Sequence, residues 1–190
     1  MHNSFHFDKF TEEWAELYMP MQHHPVHNQR FFMVDNWYSL ETLIRELENK
    51  RSPAVVLETS LDGKIDDRYD RPSCTVYMIA QEADDNSKAA LDAKQKAKGA
   101  LMAYRNMLAA FKEGSEILNA FPFRPGGYLD TLRSAVQNGR HPLQAIDLNV
   151  QYGTTGRVLD GWYGVYATFE DCIAYNRCVD YNDYVKKEYV

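Results

Sequence analysis

SKAALDAKQKAKGALMAYRNMLAAFK, from Ser87 to Lys112, is the longest periodic segment of the chain. At about 100° per residue, Ala90, Ala93, Ala97, Leu101, Tyr104, Met107, Leu108 and Phe111 fall on one face. This spacing predicts a long helix. Its small residues allow close approach to a sheet at one end, and its large ones pack more deeply at the other. Gly114 is placed to end the helix in a left-handed conformation.

The flanking sequence reads as strands. Upstream, Ala54 to Leu57 is a β-branched apolar run, and Cys74 to Ala80 is a second strand. Between them lie the turn Asp62-Gly63 and a polar connection reaching Pro72. Two strands joined without a helix are expected to be antiparallel neighbours. Downstream, Ala145 to Tyr152 and Trp162 to Glu170 read as strands joined by a glycine-rich hairpin loop, Gly153 to Gly161. Two hairpins around a long helix predict an α+β fold. The expectation is a mainly antiparallel sheet of about four strands, with the long helix and shorter helices on one face.

Further out, Phe10, Trp14, Leu17 and Tyr18 share a helical face within Phe7 to Tyr18. Pro20 stops that helix, and Met21 to Arg30 reads as loop. Phe31 to Val34 is a short apolar run, either a strand or a buried crossing segment. Ser39 is a candidate N-cap for an amphipathic helix through Leu40, Leu43, Ile44 and Leu47. Phe121 to Gly127, rich in proline and glycine, is irregular. Tyr128 to Gln137 is a short helix stopped by Asn138-Gly139. The expected organisation is one domain over residues 1–170 and a tyrosine-rich extension over 171–190.

The 190 residues suit a single domain, and 45% hydrophobic with 25% charged residues is a globular composition. A net charge of −6 argues against general duplex-DNA binding, which depends on Lys and Arg neutralising phosphates. The apolar runs are too short to cross a bilayer. Asp8, Glu12, Glu13 and Glu16 leave no apolar stretch for a signal peptide. Cys74, Cys172 and Cys178 cannot all pair within one chain, so a reducing, cytoplasmic setting is the simpler expectation.

Few residues suggest chemistry. His23, His24 and His27 are the strongest metal candidates, because imidazole suits zinc or copper. However, no metalloprotease glutamate accompanies them, and Pro25 spoils a helix that would align them. An ordinary polar loop is the competing reading. Asp62, Asp66, Asp67 and Asp70 read as a solvated connection, since Lys64 stands where a calcium loop needs an oxygen ligand. Gly153, Gly156 and Gly161 fit a hairpin better than a phosphate cradle. No Gly-x-Ser-x-Gly elbow occurs. No catalytic residue, metal ligand or cofactor site is assigned.

Interaction candidates are clearer. Lys94, Lys98, Arg105 and Lys112 project within about 40° of one another on the long helix. They either cover the core edge with their stems or form a basic strip for an acidic partner or passing nucleic acid. Thr154, Thr155 and Arg157 in the hairpin loop are candidate contacts, as are Tyr181 and Tyr184 in the tail.

Two stretches carry a resemblance. One is His27-Asn28-Gln29-Arg30-Phe31-Phe32-Met33-Val34-Asp35, the helix through Leu47, and Ser52-Pro53-Ala54-Val55-Val56-Leu57-Glu58. The other is Gly153 to Glu170, with Asp160-Gly161-Trp162-Tyr163-Gly164 entering the final strand. Together they resemble small prophage proteins encoded near head–tail joining and tail genes. The element order over Val26 to Glu170 is similar to that of phage tail-terminator and tail-completion proteins. The resemblance implies a non-enzymatic virion protein that forms a homo-oligomeric ring on the tail tube or head–tail connector. It would reside in the bacterial cytoplasm during assembly and then in the virion, with no membrane or sequence-specific nucleic-acid partner. The alternatives are a metal-dependent enzyme built on His23, His24 and His27, or a small-ligand or protein-binding module using the aromatic surface.

Overall fold

Cys74 to Ala80 lies in the strand on which the sheet is organised. The structure is a computed structural model. It describes residues 5–35, 53–58, 63–65, 69–81, 87–144, 146–157, 162–170 and 173–174. The described elements are α1 (Phe7–Leu17), β1 (Phe31–Val34), β2 (Ala54–Glu58), β3 (Gly63–Ile65), β4 (Tyr69–Gln81) and α2 (Ser87–Glu113). A 3-10 turn (Glu116–Ala120), α3 (Tyr128–Gln137), β5 (Tyr152–Arg157), β6 (Trp162–Glu170) and β7 (Ile173–Ala174) follow. The expected helix through Leu40 and Leu47 lies outside the described residues.

The fold is α+β. The main sheet runs β1-β2-β4-β6-β5, with β3 and β7 paired to β4 off that path. The expected antiparallel pair is β2 with β4, in the register Val56↔Tyr77. On the other side of β4, β6 pairs from Ser73↔Glu170 to Gln81↔Trp162. The sheet is larger than the four or so strands expected, and it is mixed. β1 lies parallel to β2, in the register Phe31↔Val55. A parallel pair needs a crossover connection, and the chain between Val34 and Ala54 supplies the length.

The last hairpin also differs from expectation. Residues 147–151 are not strand, and β5 begins at Tyr152 and runs through the glycines to Arg157. The carbonyls of Ile146 and Leu148 bond Lys112 and Arg105 of α2 instead of a neighbouring strand. Gly153 sits in a strand because the ring of Tyr166 lies over it. A Cβ at position 153 would be 2.6 Å from that ring.

Alternation splits the sheet into two faces. Val55, Leu57, Val76, Met78, Ala80, Val165, Ala167 and Phe169 belong to the large core beneath the helices. The opposite face holds a smaller buried cluster of Val34, Ala54, Val56, Tyr77, Ile79 and Trp162. α2 meets the sheet through Ala93, Ala97 and Ala100, then buries Tyr104, Leu108 and Phe111 deeper. Gly114, at φ +67°, ends it as expected. α1 packs Phe10 edge-on against Tyr104 and Phe111, and Trp14 edge-on against Tyr104. Each such fully buried ring contributes roughly 1.5–3 kcal/mol before entropy is subtracted.

Candidate functional site

The three histidines leave α1 on the loop that Pro20 begins. Asn28 ties this loop across, its side-chain amide donating to the carbonyls of Met21 and Gln22 at 2.9 and 2.7 Å. His23 turns inward and is buried, its Nδ1 accepting the Arg30 N–H at 2.9 Å. Burial pushes its pKa down, against the pull of Glu12 and the Asn28 backbone. His24 and His27 stay exposed, their rings stacked at 4.7 Å. The His24 Nδ1 accepts the backbone N–H groups of Val26 and His27, each at 3.2 Å, which commits that nitrogen to the turn. The three imidazoles therefore do different local work. Among the described residues, no group of three or more His, Cys, Asp or Glu side chains is arranged to hold a metal ion.

The basic row of α2 lies along the segment that leads into β5. Lys94 sits over the Tyr163 ring at 5.6 Å, and Lys98 over the Tyr152 ring at 5.0 Å. Arg105 Nε donates to the Leu148 carbonyl at 3.0 Å, and Lys112 Nζ donates to that of Ile146. Lys98, Arg105 and Lys112 thus form a clasp that holds residues 146–152 against the helix, while Lys94 lies on β6. Their aliphatic stems cover the core edge. Lys98 remains exposed, and the other three are half-buried.

Thr154 and Thr155 stand on the edge strand β5, around an irregularity in its pairing with β6 between Thr154 and Gly156. Arg157 is the last residue of that strand, paired with Tyr163. Tyr181 and Tyr184 lie outside the described residues. Of the candidate cations, Lys98 meets β5 at Tyr152, Lys94 meets β6 at Tyr163 and Arg105 meets Leu148 ahead of β5; on β5 Thr154 is exposed and Thr155 half-buried.

A groove of about 410 Å³ opens where α1 meets the start of α3, lined by Lys9, Glu12, Glu13, Arg124, Tyr128 and Thr131 among others. Glu13 is its buried floor. It accepts Arg124 Nη2 at 2.8 Å, the Tyr128 N–H at 2.7 Å and the Leu129 N–H at 2.9 Å. Its carboxylate therefore caps α3, a task that the N-cap Gly127 cannot perform for lack of a side chain. Arg124 also reaches Glu16 at 3.7 Å. Burial raises the Glu16 pKa, and Arg124 partly opposes it. The sequence reading missed Glu13, although a signal was present: Phe10, Glu13, Trp14 and Leu17 follow the i, i+3, i+4, i+7 spacing of the inward face.

On the opposite face of the sheet, Tyr77 donates its hydroxyl to Glu58 and lies beside Tyr166, with ring centroids 5.8 Å apart. Burial and that bond hold its proton well above the usual phenol range. Among the described residues, no helix is long and apolar enough to cross a membrane. No family model, no curated protein and no solved structure matches the chain.

Proposed function

We propose that this chain is a non-catalytic virion assembly protein, a tail terminator or head–tail connector that forms a homo-oligomeric ring on a phage tail tube. The observation that carries the reading is the form of β4. Its residues Ser73 to Gln81 are built into the main sheet between β2 and β6. Its residues Tyr69 to Pro72 continue past the ladder with β6, paired instead with β3 and β7. Four residues at the rise of a strand extend about 13 Å.

Such an arm continues a central strand of the core. In this reading it is where a neighbouring copy or the tube docks. The sheet is also open, with β1 and β5 at its two edges among the described strands. Edge strands carry unpaired backbone donors and acceptors that a second chain can use. The resemblance over Val26 to Glu170 points to the same role. In this reading the chain needs no cofactor, works in the bacterial cytoplasm during assembly and remains in the virion.

The test is to measure the mass of the full chain in solution and to image it by negative-stain electron microscopy, alone and with purified phage tail tubes. Rings, free or on tube ends, are the expected result. A strict monomer at high concentration with no affinity for tubes overturns the reading.

A further inference from the structure

The turn from His24 to His27 is built as an Asx turn is, with an imidazole in the place of the usual oxygen. The His24 Nδ1 accepts the N–H groups two and three residues ahead, those of Val26 and His27, each at 3.2 Å. Asp, Asn, Ser and Thr ordinarily take that position. None of them changes protonation between about pH 5 and 8, and histidine does. The neighbouring residue repeats the arrangement: buried His23 accepts the Arg30 N–H at its own Nδ1, at 2.9 Å. Two adjacent imidazoles therefore satisfy three backbone donors of one loop.

That loop joins α1 to the sheet and holds a strained residue. The His23 N–H reaches the Ala15 carbonyl of α1 at 3.0 Å, and Met21 is buried beneath. At the other end, Arg30 precedes β1, and its carbonyl accepts the Val55 N–H of β2 at 2.8 Å. Gln22 has φ +49°, the left-handed region that a non-glycine residue keeps only when its surroundings hold it there. The amide bonds of the Asn28 side chain and the His24–Asn28 bridge do not respond to pH. The three imidazole bonds do, because a proton on either Nδ1 sets a donor against a donor.

The charges around the two rings come from α1 and from the loop itself. Burial opposes a proton on His23 most strongly and His24 adds to that, while Glu12 and the Asn28 backbone favour it. His24 is exposed, stacks on His27 and interacts with Glu16 of α1, which Arg124 also reaches. Arg30 is bonded through Nε to Asn28 at 3.1 Å. A proton that takes His24 out of the turn lets water reach His23, where burial then no longer bars a second.

We infer that residues 22–30 are a proton-operated latch: as pH falls, His23 and His24 let go of the Val26, His27 and Arg30 amides, and the loop leaves α1 and the start of β1 while the rest of the sheet stays folded. The latch does not depend on ring assembly. Its sign follows from linkage, since the open loop binds more protons than the closed one. An imidazole barred from its proton in the closed loop, and titrating near 6.5 in the open one, shifts the equilibrium about tenfold between pH 7.5 and 5.5. Two such rings shift it up to about a hundredfold.

The experiment is hydrogen–deuterium exchange of the full chain, read by mass spectrometry at about pH 7.5 and 5.5 and corrected for the intrinsic rate at each pH. Exchange over residues 19–31 should rise at least tenfold at the lower pH, and exchange over residues 74–80 should not. His24→Asn keeps an acceptor suited to the turn, so it and His23→Asn should each reduce the rise, and the double variant should abolish it. His24→Ala should leave the loop open at both pH values. The ratio is read within each variant, so a lower starting stability does not obscure it. An unchanged loop, a rise shared equally by residues 74–80, or a rise that the asparagine variants retain in full overturns the latch. Should the His23 variants fail to fold, an undiminished rise in His24→Asn alone overturns it.

Discussion

Glu13 and Leu129, more than a hundred residues apart in sequence, are joined by a buried bond: the carboxylate Oε2 accepts the Leu129 N–H at 2.9 Å. The Tyr128 N–H reaches the other oxygen, so one acid from α1 closes the amino end of α3. The approach requires Gly127, where a Cβ would lie 2.8 Å from both carboxylate oxygens. Any larger residue there would push the acid off the helix end.

Glu13→Ala should therefore cost about 2–3 kcal/mol, the loss of a cap plus buried donors left without a partner. Gly127→Ala should fall in the same range, because it displaces the same group. Arg124→Ala should cost much less, about 0.5 kcal/mol, since its side chain is 62% exposed and surface pairs are weak. Urea unfolding of the three variants checks the order. An Arg124 effect equal to that of Glu13 would show that the ion pair, not the cap, is the stabilising contact.

Thr11 and Tyr104 predict an asymmetry. The Thr11 hydroxyl donates to the Phe7 carbonyl at 2.6 Å, so its one proton is committed. The buried Tyr104 hydroxyl, 2.9 Å away, must then donate to Thr11. Tyr104→Phe removes a donor and leaves Thr11 bonded, at a cost of about 1 kcal/mol. Thr11→Val leaves the phenol buried with no acceptor, at a cost of about 1–3 kcal/mol. The double variant should cost less than the sum. Simple additivity in a denaturation cycle would contradict the bond, and a Tyr104→Phe cost equal to or above that of Thr11→Val would contradict the assigned direction.

The helices were legible in the sequence and the sheet only partly so, for physical reasons. α2 carries its period over many turns, and its stop at Gly114 needs only local conformational freedom. Alternation is as local, which is why β6 and the Cys74–Ala80 part of β4 could be read; the polar stretch Asp62–Pro72 reads as a connection, yet it holds β3 and the first residues of β4, because their pairing is set by partners and not by an apolar pattern. The neighbours of β1 depend on long-range pairing, and no local pattern encodes them. β5 was misplaced because its glycines mimic a loop. Gly153 lies under the Tyr166 ring, its partner across the β5–β6 ladder, which is distant in sequence but adjacent in space. The cations of α2 were visible as a row, but their engagement with the carbonyls of Ile146 and Leu148 was not. Glu13 was legible in principle from its inward spacing, and its partners were not.

Two strand glycines should respond differently to alanine. At Gly164 a Cβ would meet the Met78 carbonyl and the Ile79 methyl, each at 2.9 Å, inside the sheet. At Gly153 it would meet only the outer part of the Tyr166 ring, a side chain that is 38% exposed and can swing away. Gly164→Ala should cost about 1–3 kcal/mol and Gly153→Ala less than about 1. Tyr166→Ala should remove the remaining penalty at 153. Melting temperatures of the three variants and of the 153/166 double test this. Equal costs at the two positions would mean that the Tyr166 ring is as firmly held as the backbone.

His23 should make the fold acid-sensitive. Its Nδ1 accepts the Arg30 N–H, so protonation breaks that bond and places a charge in a buried position. Glu12 and the Asn28 backbone favour the charged form, His24 opposes it, and burial outweighs them all, so the pKa is lowered. In the unfolded chain the ring titrates near 6.5. Between that value and the lower folded one, the unfolded state binds more protons. Stability is therefore full above about pH 7 and is lost as pH falls through this window. His23→Asn keeps an acceptor near the Nδ1 position and removes the titration. It should start less stable at neutral pH, from lost packing, and then show a flatter decline between about pH 7 and 5. Parallel declines in melting temperature for the two proteins would assign the acid sensitivity to other groups.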